Sequence, residues 1–257
     1  MQSVEILTDP WMARRGRRMI EAMADASPMP VRLSQRYTGA CDLLLTYGTG
    51  HPVRRPWWVQ HRQSGRHCVG LDLGYWGRDQ GYMRVTIDDD HPPAWIRPEP
   101  PCRWDATGIS LREDASPGGH AVIVGMGVKA VRVHGLAPLQ WERGAVEMAR
   151  AIGLRPILKP KKASDPSLPG VPSATGAMEE ALKGAALLIC RHSNAAVDAC
   201  IAGVPVICEG GAALALYGKT REPSREQRLE FLRSLAWWNW HPREAREAWL
   251  YILSRFG

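Results

Sequence analysis

The chain has 257 residues, of which 45% are hydrophobic, and its formal net charge is +7. This length and composition suit one large domain or two small ones, with enough apolar residues for real hydrophobic cores. No stretch approaches the roughly 18 apolar residues that a membrane span needs, so we expect no membrane partner. The positive charge predicts an anionic partner, such as nucleic acid or a nucleotide.

The cysteine pattern argues against disulfides and against a metal site. There are six cysteines, with no Cys-x-x-Cys pair and no metal-ligand spacing, at positions 41, 68, 102, 190, 200 and 208. Asp9, Arg14 and Arg15 interrupt any early apolar run, so the start does not read as a secretion signal. We therefore expect a reduced, cytoplasmic protein.

The first half of the chain contains short strand patterns followed by polar turns. The predicted elements, in chain order, are a strand over Val4–Thr8, a helix over Trp11–Ala26, and strands over Cys41–Thr46, Cys68–Leu73 and Met83–Ile87. Asp72 lies at the end of the third of these strands, and Asp88-Asp89-Asp90-His91 follows the fourth. A Pro-rich segment from Pro92 to Pro101 is predicted to be a linker or a loop.

Two basic segments of the first half are candidates for contact with the phosphates and bases of a nucleic acid. Arginine binds phosphate through a planar fork, and tryptophan offers a stacking surface. The residues are Arg14, Arg15, Arg17, Arg18, Arg54, Arg55, Trp57 and Trp58. The alternative is that the first group forms a solvated helix face and that the tryptophans fill a core.

The second half alternates strands and helices, which predicts an open parallel sheet. The elements are a strand over Ala121–Val124, a helix over Pro138–Ile152, a strand over Arg155–Leu158 and a short helix over Met178–Leu182. A βαβ unit follows, with a strand at Ala185–Cys190, a helix at Ala195–Ala202 and a strand at Val204–Cys208. Gly203 is expected to end that helix as a C-cap. The remainder, Arg225 to Phe256, is predicted to be helical with a break near Trp240-His241-Pro242.

Loops at the carboxyl ends of these strands carry residues suited to phosphate. Parallel strands end at one edge of a sheet, where ligands of open α/β folds bind. The candidate residues are Gly125, Gly127, Lys129, Lys159, Lys161, His192, Ser193, Asn194, Glu209 and Gly210. We expect four unpaired backbone N–H groups and the dipole at the start of helix 195–202 to favour an anion. Glu209 is a candidate for ribose or sugar hydroxyls. The P-loop pattern is absent, and Gly125-x-Gly127 lacks the rest of a dinucleotide fingerprint.

The segment RHSNAAVDACIAGVPVICEGGAA resembles the donor half of GT-B glycosyltransferases. Together with LDLGYWGRDQGYMRVTIDDDHPPAWI, AVIVGMGVKA and SLAWWNWHPREAREAW, it is similar to a family of phage and prophage proteins of that type. The resemblance implies an α/β GT-B-like fold: two Rossmann-like domains facing a cleft, with a C-terminal helix that crosses back. We expect an acceptor-side domain over 1–116, a donor domain over 117–235 and the returning helix over 236–257.

The resemblance also implies a reaction. A UDP-sugar would donate its sugar to the hydroxymethyl group of 5-hydroxymethylcytosine in double-stranded phage DNA, with no obligatory metal or other cofactor. Asp72 or His91 would be the catalytic base, and the acids before His91 would hold or orient its ring. Three rivals stay open: a saccharide or lipid-linked acceptor, a nucleotide-sugar epimerase, and a DNA-binding protein without activity.

Overall fold

The computed structural model describes residues 2–10, 12–112, 118–220 and 222–256. The described strands are β1 (Val4–Leu7), β2 (Val31–Ser34), β3 (Leu43–Tyr47), β4 (His67–Leu73), β5 (Met83–Ile87), β6 (His120–Val124), β7 (Arg155–Lys159), β8 (Ala185–Cys190), β9 (Val206–Cys208) and β10 (Asn239–Trp240). The described helices are α1 (Arg14–Asp25), α2 (Arg54–Gln63), α3 (Cys102–Asp105), α4 (Val128–Val133), α5 (Gln140–Ala151), α6 (Met178–Leu182), α7 (Ala195–Ala202), α8 (Leu214–Tyr217), α9 (Arg225–Ala236) and α10 (Ala245–Leu253).

The chain forms two compact units. The first unit comprises Met1–Trp95 together with Leu235–Gly257, and the second comprises Ile96–Ser234. The boundary that the sequence suggested, after residue 116, lies outside the described residues, so that division stays a prediction. In the part of the chain that the structure describes, no helix has both the length and the apolar character needed to cross a membrane.

The first unit is built on a mixed sheet. The described strands follow the order β10-β5-β4-β3-β1-β2, in which β4, β3, β1 and β2 run parallel while β5 and β10 run antiparallel to their neighbours. β1 is buried along its whole length, and so is β3 up to its last residue, Tyr47. Both read as nearly continuous apolar runs because such central strands are covered on both faces.

The C-terminal residues 235–257 complete this first unit. β10 pairs with β5, placing Asn239 opposite Arg84. The indole Nε1 of Trp249, on α10, donates a 2.7 Å hydrogen bond to the carbonyl of Met23 on α1. Trp238, Trp240 and Trp249 are at most 1% exposed. These tryptophans are therefore core residues, not stacking surfaces.

The second unit contains a parallel sheet of order β7-β6-β8-β9 among its described strands. Ile123 of β6, Leu158 of β7 and Ile189 of β8 form a core with the buried face of α5, including Ala149. The βαβ unit β8–α7–β9 follows the sequence prediction closely. Gly203 ends α7 with φ of +78°, a conformation that glycine adopts without steric cost.

The two units share one strand order. Numbered from the start of each unit, β2-β1-β3-β4 and β7-β6-β8-β9 both follow the pattern 2-1-3-4. The connections reverse direction between β1 and β3 in the first unit and between β6 and β8 in the second. In open α/β sheets, the carboxyl edge at this reversal is where ligands bind. The predicted fold class, α/β of the GT-B type with two Rossmann-like units, is confirmed.

Candidate functional site

The carboxyl edge of the second sheet collects the predicted donor-side loops. Gly125–Gly127 follows β6, Lys161 comes after β7, and His192–Asn194 follows β8. Glu209 and Gly210 follow β9. Because these strands are parallel, all four loops leave the same edge, and the loops after β6 and β8 flank the point at which the connections reverse.

The glycine loop after β6 is held from two sides. The backbone N–H of Gly125 donates a 2.9 Å hydrogen bond to the backbone carbonyl of Lys159, which is half-buried. Lys159 therefore holds the glycine loop through its main chain. A β-carbon at Gly127 would lie 3.2 Å from Cδ of Lys161, so the aliphatic part of that lysine passes directly over the loop. Lys129 lies two residues after Gly127, exposed on α4. Lys161 is thus the lysine most closely associated with the glycines.

A buried carboxylate, which the sequence analysis missed, also fixes this loop. Glu142, on the first turn of α5, is 2% exposed, and its Oε1 accepts a 2.6 Å hydrogen bond from the backbone N–H of Met126. Its Oε2 is buried without a hydrogen-bond partner among the described residues. The sequence did contain one signal: Glu142 lies on the apolar face of a predicted helix. A glutamate is seldom buried unless another group binds it, so this position indicates a buried partner.

The start of α7 differs from the sequence expectation of four unpaired N–H groups. The N–H of Ala195 bonds to the hydroxyl oxygen of Ser193 at 3.2 Å, and that of Ala196 to the carbonyl of Ser193 at 3.1 Å. The N–H groups of Val197 and Asp198 both bond to the carbonyl of Asn194. The tight first turn satisfies these donors internally. An anion here would therefore meet the helix dipole and the His192 and Asn194 side chains rather than free N–H groups.

Two histidines lie close together at this edge. The ring centroids of His134, which follows α4, and His192 are 5.1 Å apart. Gly211 packs on the backbone of His192, where a β-carbon would approach to 3.1 Å, and its φ is +86°. Gly210 donates to the carbonyl of Arg191 at 2.7 Å. The β9 loop is therefore folded tightly onto the β8 loop, which keeps His192 in place.

Glu209 links α5 to the β8 loop. Its Oε1 accepts from the indole Nε1 of Trp141 at 3.0 Å, and its Oε2 accepts from Nε of Arg191 at 2.9 Å. Its side chain is 56% exposed, and each oxygen keeps a second lone pair for a ligand hydroxyl. Trp141 was not singled out from the sequence, because it is 68 residues from Glu209 along the chain.

In the first unit, Asp72 lies at the end of β4 in a charged cluster. Its Oδ2 is 3.3 Å from a guanidinium nitrogen of Arg84, the residue directly opposite on β5, and its Oδ1 accepts from the N–H of Leu73. Burial, and then the negative charge of Asp72, raise the pKa of Tyr47 at the end of β3. The carboxylate is partly exposed and ion-paired.

His91, the other candidate base, is only 6% exposed, and its ring centroid is 6.5 Å from that of Tyr75. Two of the preceding acids, Asp88 and Asp90, have ion-pair partners other than His91. Asp88 pairs with His67 at 2.7 Å and with Arg62 at 3.1 Å, and Asp90 pairs with Arg55 at 3.0 Å. Asp88 and Asp90 are therefore paired with other residues of the first unit. Among the described residues, no group of three or more His, Cys, Asp or Glu side chains could hold a metal ion.

The structure also corrects part of the DNA-contact prediction. Trp58 is 3% exposed and packs with Leu44 and Cys68 in a core cluster, against which Trp57 is partly buried. Arg54 is 7% exposed and ion-paired with Asp9. Neither Trp58 nor Arg54 can meet a nucleic acid without unfolding of the core.

The other arginines of this prediction lie on the surface or in partly exposed ion pairs. Arg55 is held by Asp90 and Arg15 by Asp79, at 3.0 and 3.2 Å. Arg17 donates to the carbonyl of Pro10 at 2.8 Å. Arg14, Arg17 and Arg18 remain exposed on α1. Of the predicted DNA contacts, these three are the most accessible.

The two Rossmann-like units and the strand order of each define an α/β protein of the GT-B fold. Among solved structures, the chain is similar to the β-Kdo 2,4 transferase of KpsC from Thermosulfurimonas dismutans, with a TM-score of 0.56 and 13% identity over 93% of this chain and 91% of that one. It is also similar to the β-Kdo 2,7 transferase of the same protein, with a TM-score of 0.56 and 14% identity over 98% and 100% of the two chains. At these identities the likeness establishes the fold alone. No protein-family model matches the sequence, and no curated protein does.

Proposed function

We propose that this protein is a glycosyltransferase that moves a sugar from a nucleotide-sugar donor, UDP-linked, to a hydroxyl group. The observation that carries the proposal is the second unit's carboxyl edge. There a glycine loop, Lys161 and the His192 loop flank the point at which the connections reverse. The carboxyl edge of the first unit also carries cations, but there Arg54 is buried and ion-paired with Asp9, whereas Lys161 is exposed beside the glycine loop of the second unit.

In the proposed reaction, the acceptor hydroxyl oxygen bonds to the anomeric carbon as the bond from that carbon to the donor phosphate breaks. The hydroxyl proton passes to a base, for which Asp72 is the accessible candidate. The leaving diphosphate gains negative charge, which Lys161 and the α7 dipole would stabilise, with His134 and His192 as further candidate hydrogen-bonding groups. Lys161 and the dipole supply positive charge of their own, so the proposal requires no metal.

For the acceptor, we propose the hydroxymethyl group of 5-hydroxymethylcytosine in duplex DNA. The net charge of +7 and the exposed arginines at positions 14, 17 and 18 of α1 support contact with a polyanion. A saccharide acceptor is the second candidate. It is favoured by the burial of Arg54 and Trp58, which removes both a cation and a stacking surface from the expected DNA interface.

The test is mass spectrometry of nucleosides from 5-hydroxymethylcytosine DNA after incubation with the protein and a panel of UDP-sugars. We expect 5-hydroxymethylcytosine to gain the mass of a hexose or an N-acetylhexosamine. Unmodified DNA serves as the control acceptor. No gain with any donor, together with measurable UDP-sugar binding or hydrolysis, would exclude the DNA acceptor and leave the saccharide. An absence of both binding and hydrolysis would contradict the glycosyltransferase proposal itself.

A further inference from the structure

A cavity of about 370 Å³ lies within the first unit, where β1 and β2 end against α1. Thr8 and Asp9 follow β1, and Leu33 and Gln35 come from the end of β2 and the residue after it. Arg17 and Glu21 reach it from α1. The cavity is thus at the carboxyl edge of the first sheet, beside the pair of strands that the donor-side candidates do not use.

The lining combines an apolar surface with hydrogen-bonding groups of both kinds. Leu33, on the edge strand β2, is 57% exposed and supplies apolar surface to the lining. Around it are the hydroxyl of Thr8, the amide of Gln35 and the carboxylates of Asp9 and Glu21. A pyranose ring has the matching surface, because its C–H face is apolar and its hydroxyl edge donates and accepts hydrogen bonds.

The charges at the cavity discriminate between ligands. Asp9 is paired with Arg54, and Arg17 donates to the carbonyl of Pro10. Glu21 has no hydrogen bond or ion pair with any residue that the structure describes. Asp9 is offset by Arg54, and Glu21 and Arg17 have opposite charges, so the lining has no excess of positive charge to attract a phosphate or an acidic sugar. Glu21, as the carboxylate without an ion-pair partner among the described residues, favours neutral hydroxyls or an ammonium group. The lining also has no glycine, so it offers no close backbone cradle for a diphosphate.

We propose that this cavity binds one sugar unit, neutral or amino-substituted, with Glu21 accepting hydrogen bonds from its hydroxyl or ammonium groups. As the site of an acceptor the cavity rests on the second candidate function, a saccharide acceptor. Sugar binding itself needs no turnover, so it can be measured separately.

The experiment is saturation-transfer difference NMR of the whole protein with methyl β-glucopyranoside, glucosamine and glucuronic acid, each at millimolar concentration. We expect signals from the first two and a much weaker signal from glucuronic acid. Glu21→Ala should weaken the affinity about tenfold, the usual cost of losing a hydrogen bond to a charged group. The matched control is Asp25→Ala, which removes an exposed acid one turn along the same helix, outside the lining.

Each outcome separates this inference from the proposed function. Absence of signal from both neutral and amino sugars would overturn the cavity proposal, and so would stronger binding of glucuronic acid. An equal loss in Glu21→Ala and Asp25→Ala would also overturn it, because the effect would then not come from the cavity. Sugar binding without any glycosyl transfer would support the cavity proposal and contradict the proposed glycosyltransferase activity. Transfer to DNA without sugar binding would support the activity and contradict the cavity proposal.

Discussion

Arg54 and Arg55 are adjacent on α2, but Arg54 is buried and Arg55 is partly exposed. This difference in burial indicates that the stability of the fold depends more on the ion pair of Arg54. The side chain of Arg54 is 8% exposed and its partner Asp9 is 26% exposed, whereas Arg55 and Asp90 are 35% and 31% exposed. A buried cation that loses its partner keeps its desolvation cost, while a partly exposed one is compensated by water. Sequence alone could not separate the two, because both belong to the same Arg-Arg-Pro-Trp-Trp run.

We therefore predict that Asp9→Ala lowers the free energy of unfolding by about 3 kcal/mol, since it leaves Arg54 buried and unpaired. Asp90→Ala is the matched control, expected to cost about 1 kcal/mol or less. Urea denaturation followed by tryptophan fluorescence measures both. Equal losses in the two variants would show that burial of Arg54 is not what makes its ion pair matter.

The consecutive lysines after β7 give a second comparison at single residues. Only Lys161 lies over Gly127; Lys162 is its exposed neighbour. If the edge binds a diphosphate, Lys161→Ala should weaken UDP binding about tenfold through loss of a charge-assisted contact. Lys162→Ala should change it by less than about twofold, as expected for a screened surface charge. Isothermal titration calorimetry with UDP measures the affinity of both variants. Equal affinities would show that Lys161 does not contact the diphosphate.

At the scale of the helix, α1 shows how packing overrides local preference. Its first turns carry four arginines, and the first turn holds no acid to complement the helix dipole. Met19, Ile20 and Met23 bury the opposite face, and Gly16 sits under the ring of Tyr47, where a β-carbon would approach Cδ1 to 2.6 Å. The helix therefore depends on its buried face and on this close contact.

Gly16→Ala and Gly144→Ala should change stability in opposite directions. Both glycines are helical, and alanine is intrinsically better by about 1 kcal/mol at such positions. At Gly144, on α5, a β-carbon meets nothing within 4 Å, so the substitution should raise the melting temperature. At Gly16 the added methyl group must displace the Tyr47 ring, so the melting temperature should fall. Calorimetry of both variants checks this, and stabilisation by Gly16→Ala would mean that Tyr47 moves freely.

The elements that the sequence predicted best are those that are buried in the folded chain. Apolar runs marked β4, β5 and β8 to within a residue, and the small-residue pattern with Gly203 marked α7 fully. β2 and α4 were missed. β2 is a partly exposed edge strand, and α4 has no buried residue, so neither carries an apolar signal. No element was predicted at α2, where the sequence analysis singled out only the basic and aromatic residues Arg54, Arg55, Trp57 and Trp58.

At the carboxyl edge of the second sheet, the sequence predicted the residues that follow strands directly, but not the side chains that reach the site from other elements. Gly125, Gly127 and the His192 loop follow strands in the sequence, so topology brings them to one edge. Glu142 and Trp141 could not be assigned from sequence, because their partners, Met126 and Glu209, come from other elements. Asn194 and Ser193 lie where expected, but the tight turn uses their neighbours' N–H groups internally.

For the whole molecule, the thiols report on the integrity of both units. The cysteines are all free, and only Cys102 is exposed. Burial raises the pKa of Cys41 to about 11 and that of Cys190 to about 12, which suppresses the reactive thiolate. We predict that a maleimide at pH 7 labels Cys102 first in the native protein. In Cys102→Ser, mass spectrometry should find slow labelling until denaturant is added. Rapid labelling of Cys41 or Cys190 would indicate local opening.

The same buried thiols predict a loss of stability at alkaline pH. Their pKa values are raised in the folded state, so the folded chain holds protons that the unfolded chain releases above its ordinary thiol pKa of about 8.5. Their contribution is complete below that pH and disappears as the pH rises towards 11 and 12. The urea concentration at the unfolding midpoint should decrease as the pH is raised from 8 to 10.5. The decrease should be smaller in Cys190→Ala, after correction for the stability that this variant loses at neutral pH. A flat profile would contradict the assignment.

The pairing of β10 with β5 has a consequence for synthesis on the ribosome. The first unit cannot cover the edge of β5, or place Trp249 against Met23, until residues 239–249 have left the exit tunnel. The second unit, a continuous segment of the chain, is released before those residues. The nascent first unit therefore waits with an open strand edge and vacant indole pockets while the second unit completes, a stage at which chaperone binding and edge-to-edge association would compete with folding.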